Sequence, residues 1–241
     1  MTIETDRSAS ANEVALNTQG SQAGSTAVWN ASHPLTRHFE AVIQAPGSAR
    51  ISMAIGELAS SIDHAARVNP VAVGVSAIKA NQYLGITAVS LAALWGKWGR
   101  PTCLIDLGSG TKLLSGAISS ARPDLGDACR MNDNGGLNGL AAIHSGLPNC
   151  ALIAAGSADV LGLLSTGQLT NLTNSLKKRF DRIVIAAPPV DTSFPFLALY
   201  KCCDRLVLSL RRGKTRGGAV RELAEQGMAL GMRPLDAIWF E

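Results

Sequence analysis

From residue 71 to the end of the chain, short apolar runs alternate with segments of helical periodicity, and this alternation strongly constrains the fold. The runs are apolar on both faces, which is typical of strands in a parallel sheet that helices cover on both sides. The sequence therefore predicts an α/β fold with a doubly wound, mostly parallel sheet flanked by helices. The predicted strands are residues 71–76, 101–106, 180–187, 205–210 and 233–240, and the predicted helical segments are residues 82–98, 159–179, 197–203 and 214–231.

The chain before this alternation has two parts. Residues 1–35 are rich in Ser, Ala, Asn, Thr and Gln and carry no periodic apolar pattern, which predicts a disordered polar tail. Residues 36–241 are expected to form a single domain. Within it, Ile51, Leu58 and Ile62 fall near helical spacing, which predicts a leading helix over residues 51–66, outside the sheet.

The composition favours a globular protein and gives no indication of a nucleic-acid partner or a zinc site. With 241 residues, of which 46% are hydrophobic and 17% charged, the chain can bury a large core. A net charge of +4, scattered along the chain, does not indicate a nucleic-acid partner. The five cysteines lack the spacing of a zinc site, so we expect reduced, buried thiols in a cytoplasmic protein.

The ends of the predicted strands are where a ligand would bind in such a sheet, and they fall at Ser76, Asp106 and Ala187. A nucleotide site needs a glycine-rich turn after the first strand, whose N–H groups hold phosphate. A lysine and a Ser or Thr hydroxyl must follow for phosphate and magnesium. Residues 77–87 contain one glycine, Gly85, and no G-K-[ST] sequence.

The order of several short motifs nevertheless points to a family. They are Ser-Leu-Ala at residues 90–92, the apolar run that ends at Asp106, residues 180–185, Ala-Ala-Pro-Pro at 186–189, and residues 203–208 followed by Arg211. Their order and spacing resemble the bacterial tyrosine kinases of capsule and exopolysaccharide synthesis, which are related to the cell-division and plasmid-partition ATPases. The resemblance covers most of the chain after residue 70, and it implies a P-loop NTPase-like fold.

The chain departs from that family at the positions that hold and cleave a nucleotide. When the family motif is aligned on residues 90–92, the position of its phosphate-binding lysine corresponds to Leu84. The position of its magnesium-binding hydroxyl corresponds to Gly85. Asp106 keeps the first acid of the second motif, but the second acid is Gly108 and the metal-side acid of the third motif is Ala186. The Walker motifs are thus degenerate, and we predict no catalytic residue and no metal ligand. The vestigial nucleotide pocket is expected to comprise Lys79, Leu84, Gly85, Asp106, Ala186 and Arg211.

Some charged positions have two interpretations. Lys79 stands near the place where some relatives carry an extra lysine that reaches a phosphate across a dimer, but an exposed loop lysine needs no such role. Asp106 could position water or metal, or it could stabilise a turn. The basic residues of the 211–216 segment could meet phosphate, anionic lipid or the acids of a partner, or form a solvated loop: Arg211, Arg212, Lys214 and Arg216.

The resemblance implies a catalytically degenerate, tyrosine-kinase-like cytoplasmic subunit, a pseudokinase, in exopolysaccharide biosynthesis or export. Its implied partner is the cytoplasmic segment of an inner-membrane polysaccharide co-polymerase, through which it would be peripheral to the inner membrane. No cofactor would be required, although ATP with Mg²⁺ is the family ligand. A homo-oligomer is an alternative to a monomer, but residues 51–66 lack the E-x-x-R-x-x-R pattern through which family members form rings. The tyrosine cluster that such kinases phosphorylate is also absent, since Tyr83 and Tyr200 are the only tyrosines.

Two alternatives assign an activity to the chain. In the first, it is an active but atypical ATPase or protein tyrosine kinase of the same pathway, and it uses Lys79 and Asp106. In the second, residues 105–111 form the glycine-rich cofactor loop of an S-adenosylmethionine-dependent methyltransferase, and residues 180–189 resemble a second motif of those enzymes. Lys112 and Ala187 interrupt these methyltransferase motifs.

Overall fold

One seven-stranded sheet forms the centre of the molecule. The computed structural model describes residues 48–65, 70–80, 83–108, 124–134, 143–144, 147–190, 196–229 and 235–240. The strands are β1 (Val71–Ser76), β2 (Thr102–Asp106), β3 (Ile143–His144), β4 (Cys150–Ile153), β5 (Arg182–Ala186), β6 (Arg205–Arg211) and β7 (Leu235–Phe240), in the spatial order β3-β4-β2-β5-β1-β6-β7. All neighbours pair in parallel except β3, a two-residue edge strand antiparallel to β4. The predicted doubly wound, mostly parallel sheet is confirmed.

Helices pack on both faces of this sheet. They are α1 (Ser48–Ala65), α2 (Tyr83–Lys97), α3 (Leu125–Asp133), α4 (Val160–Ser165), α5 (Gln168–Leu176), α6 (Phe196–Cys202) and α7 (Gly217–Ala229). The predicted leading helix is confirmed as α1, which packs against α2 and β7. Within the described ranges, no helix combines the length and hydrophobicity that a membrane span requires.

Strand β1 shows how the core is divided between the two faces. Its alternate residues Val71, Val73 and Val75 join an apolar cluster with α1 and α2. Ala72 joins the opposite cluster, to which α3, α5 and α6 contribute. All six residues of β1 are buried, which explains why the strand is an uninterrupted apolar run in the sequence.

The structure also differs from the sequence-based prediction. Helix α3 and strands β3 and β4 were not predicted. The two strands have only two and four residues, and α3, with the sequence LGDACRMND, has few large apolar residues. The helical segments predicted within residues 159–179 are confirmed as α4 and α5, which Gly167 separates with a φ of 77°. The predicted helix over residues 214–231 begins only at Gly217, because the N–H groups of Lys214 and Thr215 bond to the carbonyl of Arg211 in a turn.

A buried arginine joins α1 to the amino end of β5. Arg182 is 2% exposed, and its Nε donates to Asp63 Oδ1 of α1 at 2.9 Å. Its Nη1 donates to the carbonyl of Asp181 at 2.7 Å, and its guanidinium carbon lies 5.8 Å from the ring centroid of Trp95 in α2. These contacts give the buried guanidinium an opposite charge and two hydrogen-bond acceptors.

The predicted tail, residues 1–35, lies outside the described residues. The boundary at residue 36 also lies outside them, so the division into a tail and a single domain stays a prediction.

Candidate functional site

The carboxyl edge of the sheet brings the predicted positions onto neighbouring strands. Ala186 at the end of β5 is in register with Val75 of β1 on one side and with Asp106 of β2 on the other. Arg211 ends β6, on the far side of β1, and Lys79 is an exposed residue of the loop that follows β1. The strand ends that a P-loop protein uses for nucleotide therefore lie side by side here.

The positions expected for the lysine and for the third-motif acid lie in one apolar cluster. Leu84, the second residue of α2, and Ala186 are both 0% exposed. They belong to the same hydrophobic cluster, which also contains Val75, Val207 and Phe240. An ionised ammonium or carboxylate in such surroundings costs several kcal/mol unless a partner compensates it. The local structure at these two positions is therefore that of a hydrophobic core.

The hydroxyl position is occupied by a buried glycine, Gly85. The nearest following hydroxyl in the sequence belongs to Thr87, which is also buried and whose Oγ1 donates to the carbonyl of Tyr83 at 2.8 Å. The same atom lies 3.4 Å from Ser209 Oγ of β6. The hydroxyl of Thr87 is thus engaged in contacts inside the fold.

An aromatic pair covers the start of α2. The rings of Tyr83 and Phe240 are stacked, with centroids 4.4 Å apart and planes inclined by 9°. Tyr83 opens the helix, and Phe240 is the last residue of the edge strand β7. Sequence reasoning missed this contact, because two single aromatics that are far apart in the chain give no pattern.

Hydrogen bonds join the loops that follow β1 and β5. Ser76 Oγ donates to the carbonyl of Pro188 at 2.7 Å, and the N–H of Val190 donates to the carbonyl of Ala77 at 2.7 Å. Ser76 is 0% exposed, so its hydroxyl is used in the core. The turn that follows β1 is therefore held against the loop that follows β5.

Asp106 stabilises the turn that follows β2. It is 3% exposed, and its Oδ1 accepts a hydrogen bond from the N–H of Gly108 at 3.1 Å. Gly108, at the position that the resemblance gives to the second acid, has a φ of 74°, a left-handed conformation that glycine adopts more readily than residues with a Cβ. The geometry matches the turn-stabilising interpretation of Asp106. Of the proposed methyltransferase loop, the structure describes only residues 105–108.

The loop between β6 and α7 carries the basic residues noted in the sequence. Arg211, Arg212, Lys214 and Arg216, hereafter the basic loop, are all exposed. Gly213 has a φ of 72°, and the N–H of Arg211 bonds to Thr215 Oγ1 at 3.2 Å, so the loop is a closed turn. Arg211 is thereby placed with these exposed cations, whereas Leu84, Gly85, Asp106 and Ala186 are buried.

A separate cleft of about 370 Å³ lies beyond the carboxyl end of β4. None of the six residues predicted for the pocket lines it. Asp124 and Asp159 cap α3 and α4 there, by accepting hydrogen bonds from the N–H groups of Asp127 at 2.9 Å and Gly162 at 3.1 Å. Because carboxylates already occupy these helix starts, the cleft does not favour a phosphate.

The thiols and metal-binding groups give no further site. Cys129, which lines the cleft, is 1% exposed, and burial raises its pKa to about 12, so it is not a reactive thiolate near neutral pH. Within the part of the chain that the structure describes, no three His, Cys, Asp or Glu side chains are grouped closely enough to hold a metal ion.

Comparison with known proteins agrees with the fold and with the resemblance. No family model matches the chain. The tyrosine-protein kinase CpsD of Streptococcus agalactiae is 21% identical over 154 residues, which are 63% of this chain and 67% of CpsD. The chain thus spans about two thirds of the length of this curated relative, and it is homologous to CpsD.

Solved structures share its architecture. The kinase domain of VpsO superposes with a TM-score of 0.66 at 21% identity, over 78% of this chain and 92% of that domain. The septum site-determining protein MinD of Pyrococcus horikoshii, complexed with Mg-ADP, superposes with a TM-score of 0.52 at 15% identity, over 70% of this chain and 69% of MinD. At these identities the likeness shows the fold, which is that of the P-loop NTPases.

Proposed function

We propose, from the homology of this chain to the tyrosine-protein kinase CpsD, that it is a kinase-like subunit of an exopolysaccharide pathway that has lost nucleotide chemistry. In this proposal it acts by protein–protein contact and regulates a membrane polysaccharide co-polymerase through that protein's cytoplasmic segment. The protein is cytoplasmic and reaches the inner membrane through this partner. It requires neither ATP nor Mg²⁺.

The burial of Leu84 and Ala186 in one apolar cluster carries the proposal. Phosphoryl transfer depends on preorganised charges around the phosphates and the metal, and the loss of one such charge raises the barrier by about 3 kcal/mol. Two losses at roughly a hundredfold each leave little useful turnover, even though such effects are not strictly additive. Here the lysine, the hydroxyl and the third-motif acid are replaced together by Leu84, Gly85 and Ala186.

A ligand titration tests the loss of nucleotide binding. The purified chain is heated with increasing Mg-ATP, and in parallel with S-adenosylmethionine, while unfolding is followed by circular dichroism. A ligand at a hundred times its Kd stabilises the folded state by about 2.7 kcal/mol, so binding would raise the midpoint clearly. We expect no shift with either ligand at millimolar concentration.

Lys79→Ala is the variant that decides between an inert and an atypical active protein. If Mg-ATP stabilises the native chain and Lys79→Ala abolishes that effect, the protein is the active alternative and the proposal is wrong. Lys178→Ala removes an exposed lysine outside the site and serves as the matched control.

A complementation experiment tests the pathway and the partner. Deletion of the gene in its host is expected to reduce exopolysaccharide, and both Lys79→Ala and Asp106→Asn are expected to restore it as well as the native chain does. Cross-linking in native membranes should capture a membrane protein with a cytoplasmic segment. Polysaccharide that depends on Asp106 or Lys79 would contradict a purely structural role.

A further inference from the structure

The carboxyl edge of β6 and β7 places an exposed indole beside the basic loop. Trp239 is in register with Leu210 of β6, one position before the pair Arg211 and Phe240. Its side chain is 46% exposed, whereas its neighbours Ile238 and Phe240 are buried. Trp239 therefore points away from the core that Ile238 and Phe240 enter, at the level where the basic loop begins.

The segment that contains the basic loop and the first residues of α7 carries a strong positive charge. Residues 211–221 contain five cations and no acid, and the first acids that follow are Glu222 and Glu225 on α7. Helix α7 has no acidic residue in its first turn, so its positive end adds to the field of the loop. The nearest described acid on β7, Asp236, accepts a hydrogen bond from Arg205 at 3.2 Å, four residues from the end of the strand.

We propose that the basic loop and Trp239 form a surface that binds the anionic headgroups of a lipid bilayer. Cations gain electrostatic attraction to an anionic leaflet, and tryptophan favours the boundary between headgroups and acyl chains, so an exposed indole beside several cations fits both. An exposed loop with one indole can contact the continuous, fluid surface of a bilayer without a defined pocket. A peptide ligand would need a groove. The contact is made by the chain itself and adds to the attachment through a membrane partner that the proposed function includes.

The molecule contains its own control at the opposite edge of the sheet. Trp98, after the end of α2, is also 46% exposed and follows the exposed Lys97. It precedes β2, so it lies at the amino edge, whereas Trp239 lies near the carboxyl edge. Trp98 thus matches Trp239 in exposure but not in its position relative to the basic loop.

Vesicle binding tests the surface. The full chain is sedimented with vesicles of equimolar phosphatidylglycerol and phosphatidylcholine, and with vesicles of phosphatidylcholine alone. We expect partitioning onto the anionic vesicles only, and its loss at high salt, because salt screens exposed charges. Each cation near an anionic surface contributes about fivefold to partitioning, so Lys214→Gln with Arg216→Gln should weaken it about 25-fold. The control pair Lys97→Gln with Lys178→Gln should change it little.

Fluorescence identifies the residue that touches the bilayer. Trp29→Phe serves as the background, in which the buried Trp95 contributes equally to both variants. There, brominated lipids should quench the Trp98→Phe variant, which keeps Trp239, more strongly than the Trp239→Phe variant, which keeps Trp98. Equal partitioning onto both kinds of vesicle, no partitioning at all, or equal quenching of the two variants would overturn the proposal. Binding of polyglutamate by the basic loop without binding to vesicles would assign the surface to an acidic protein instead, and would also overturn it.

Discussion

The two ends of strand β5 differ in whether a buried charge is present. At the amino end, Arg182 is 2% exposed and keeps its charge buried beside Asp63 and the carbonyl of Asp181. At the carboxyl end, Ala186 lies in one apolar cluster with Leu84, and the sequence resemblance predicts an acid and a lysine at these two positions. The amino end of β5 therefore holds a paired buried charge, and its carboxyl end holds apolar side chains.

Other strand ends show the same contrast. At the amino edge, Asp204 precedes β6, pairs with Lys177 Nζ at 2.7 Å and accepts a hydrogen bond from the N–H of Ala72 in β1. At the carboxyl edge, Tyr83 and Phe240 are stacked instead. The pair of Asp204 and Lys177 is partly exposed, whereas the buried guanidinium of Arg182 depends more strongly on its partner, because an unpaired buried charge is costly.

The largest expected effect comes from removing the partner of the buried arginine. Asp63→Ala leaves the guanidinium of Arg182 buried without its carboxylate, so we expect the free energy of unfolding to fall by about 3 to 5 kcal/mol. Urea denaturation measures this loss. Arg100→Ala is the control, because Arg100 and Asp181 form an exposed pair at 3.9 Å that should contribute less than about 1 kcal/mol. Equal losses in the two variants would contradict the special role of Arg182.

The second prediction introduces a charge into the apolar cluster near the carboxyl end of β5. Leu84→Lys restores the family's lysine, but its ammonium would enter an apolar cluster, and we expect a loss of about 3 kcal/mol and no gain of Mg-ATP binding. Leu84→Met keeps the volume and should cost less than about 1.5 kcal/mol. If urea denaturation gives the same stability for both variants, the position is not part of the core.

The third prediction extends the contrast to buried thiols. Burial raises the pKa of Cys129 and of Cys203 from 9.0 to about 12, so the folded state disfavours their thiolates. Their contribution to stability is complete below pH 9 and is lost as the pH rises toward 12. In that interval, each unit by which the pH rises should lower the free energy of unfolding by about 1.4 kcal/mol per thiol.

The check is urea denaturation between pH 8 and about pH 10.5, within the interval where the thiols act. The Cys129→Ala and Cys203→Ala variants should each show a shallower decline than the native chain. An unchanged slope in both would mean that other groups cause the alkaline loss.

The smallest effect is expected at Asp106. Asp106→Asn keeps an oxygen that can accept the hydrogen bond from the N–H of Gly108, so stability should change by about 1 kcal/mol or less. The measurement is again urea denaturation, with Asp106→Ala as the comparison that removes the acceptor and should cost more. A large loss of stability in the asparagine variant would show that the negative charge itself is needed.

Several features of the site were predictable from the chain and others were not. The departures at Leu84, Gly85 and Ala186 were visible because motif spacing survives when residue types change, and the structure places Leu84 and Ala186 in one cluster. Turn stabilisation by Asp106 was one of its two interpretations from the sequence, and the bond to Gly108 matches it. The stack of Tyr83 on Phe240 and the pair of Arg182 with Asp63 were not visible, because each joins residues more than a hundred positions apart.

The order of apolar runs and helical segments was sufficient to establish the architecture, because strands buried on both faces must be apolar throughout and cannot form an exposed sheet. The tertiary structure decided which strands are neighbours and hence which side chains meet at each edge. Register between β1, β2 and β5 brings Ala186 between Val75 and Asp106, and that adjacency depends on hydrogen bonds between strands that no local pattern encodes.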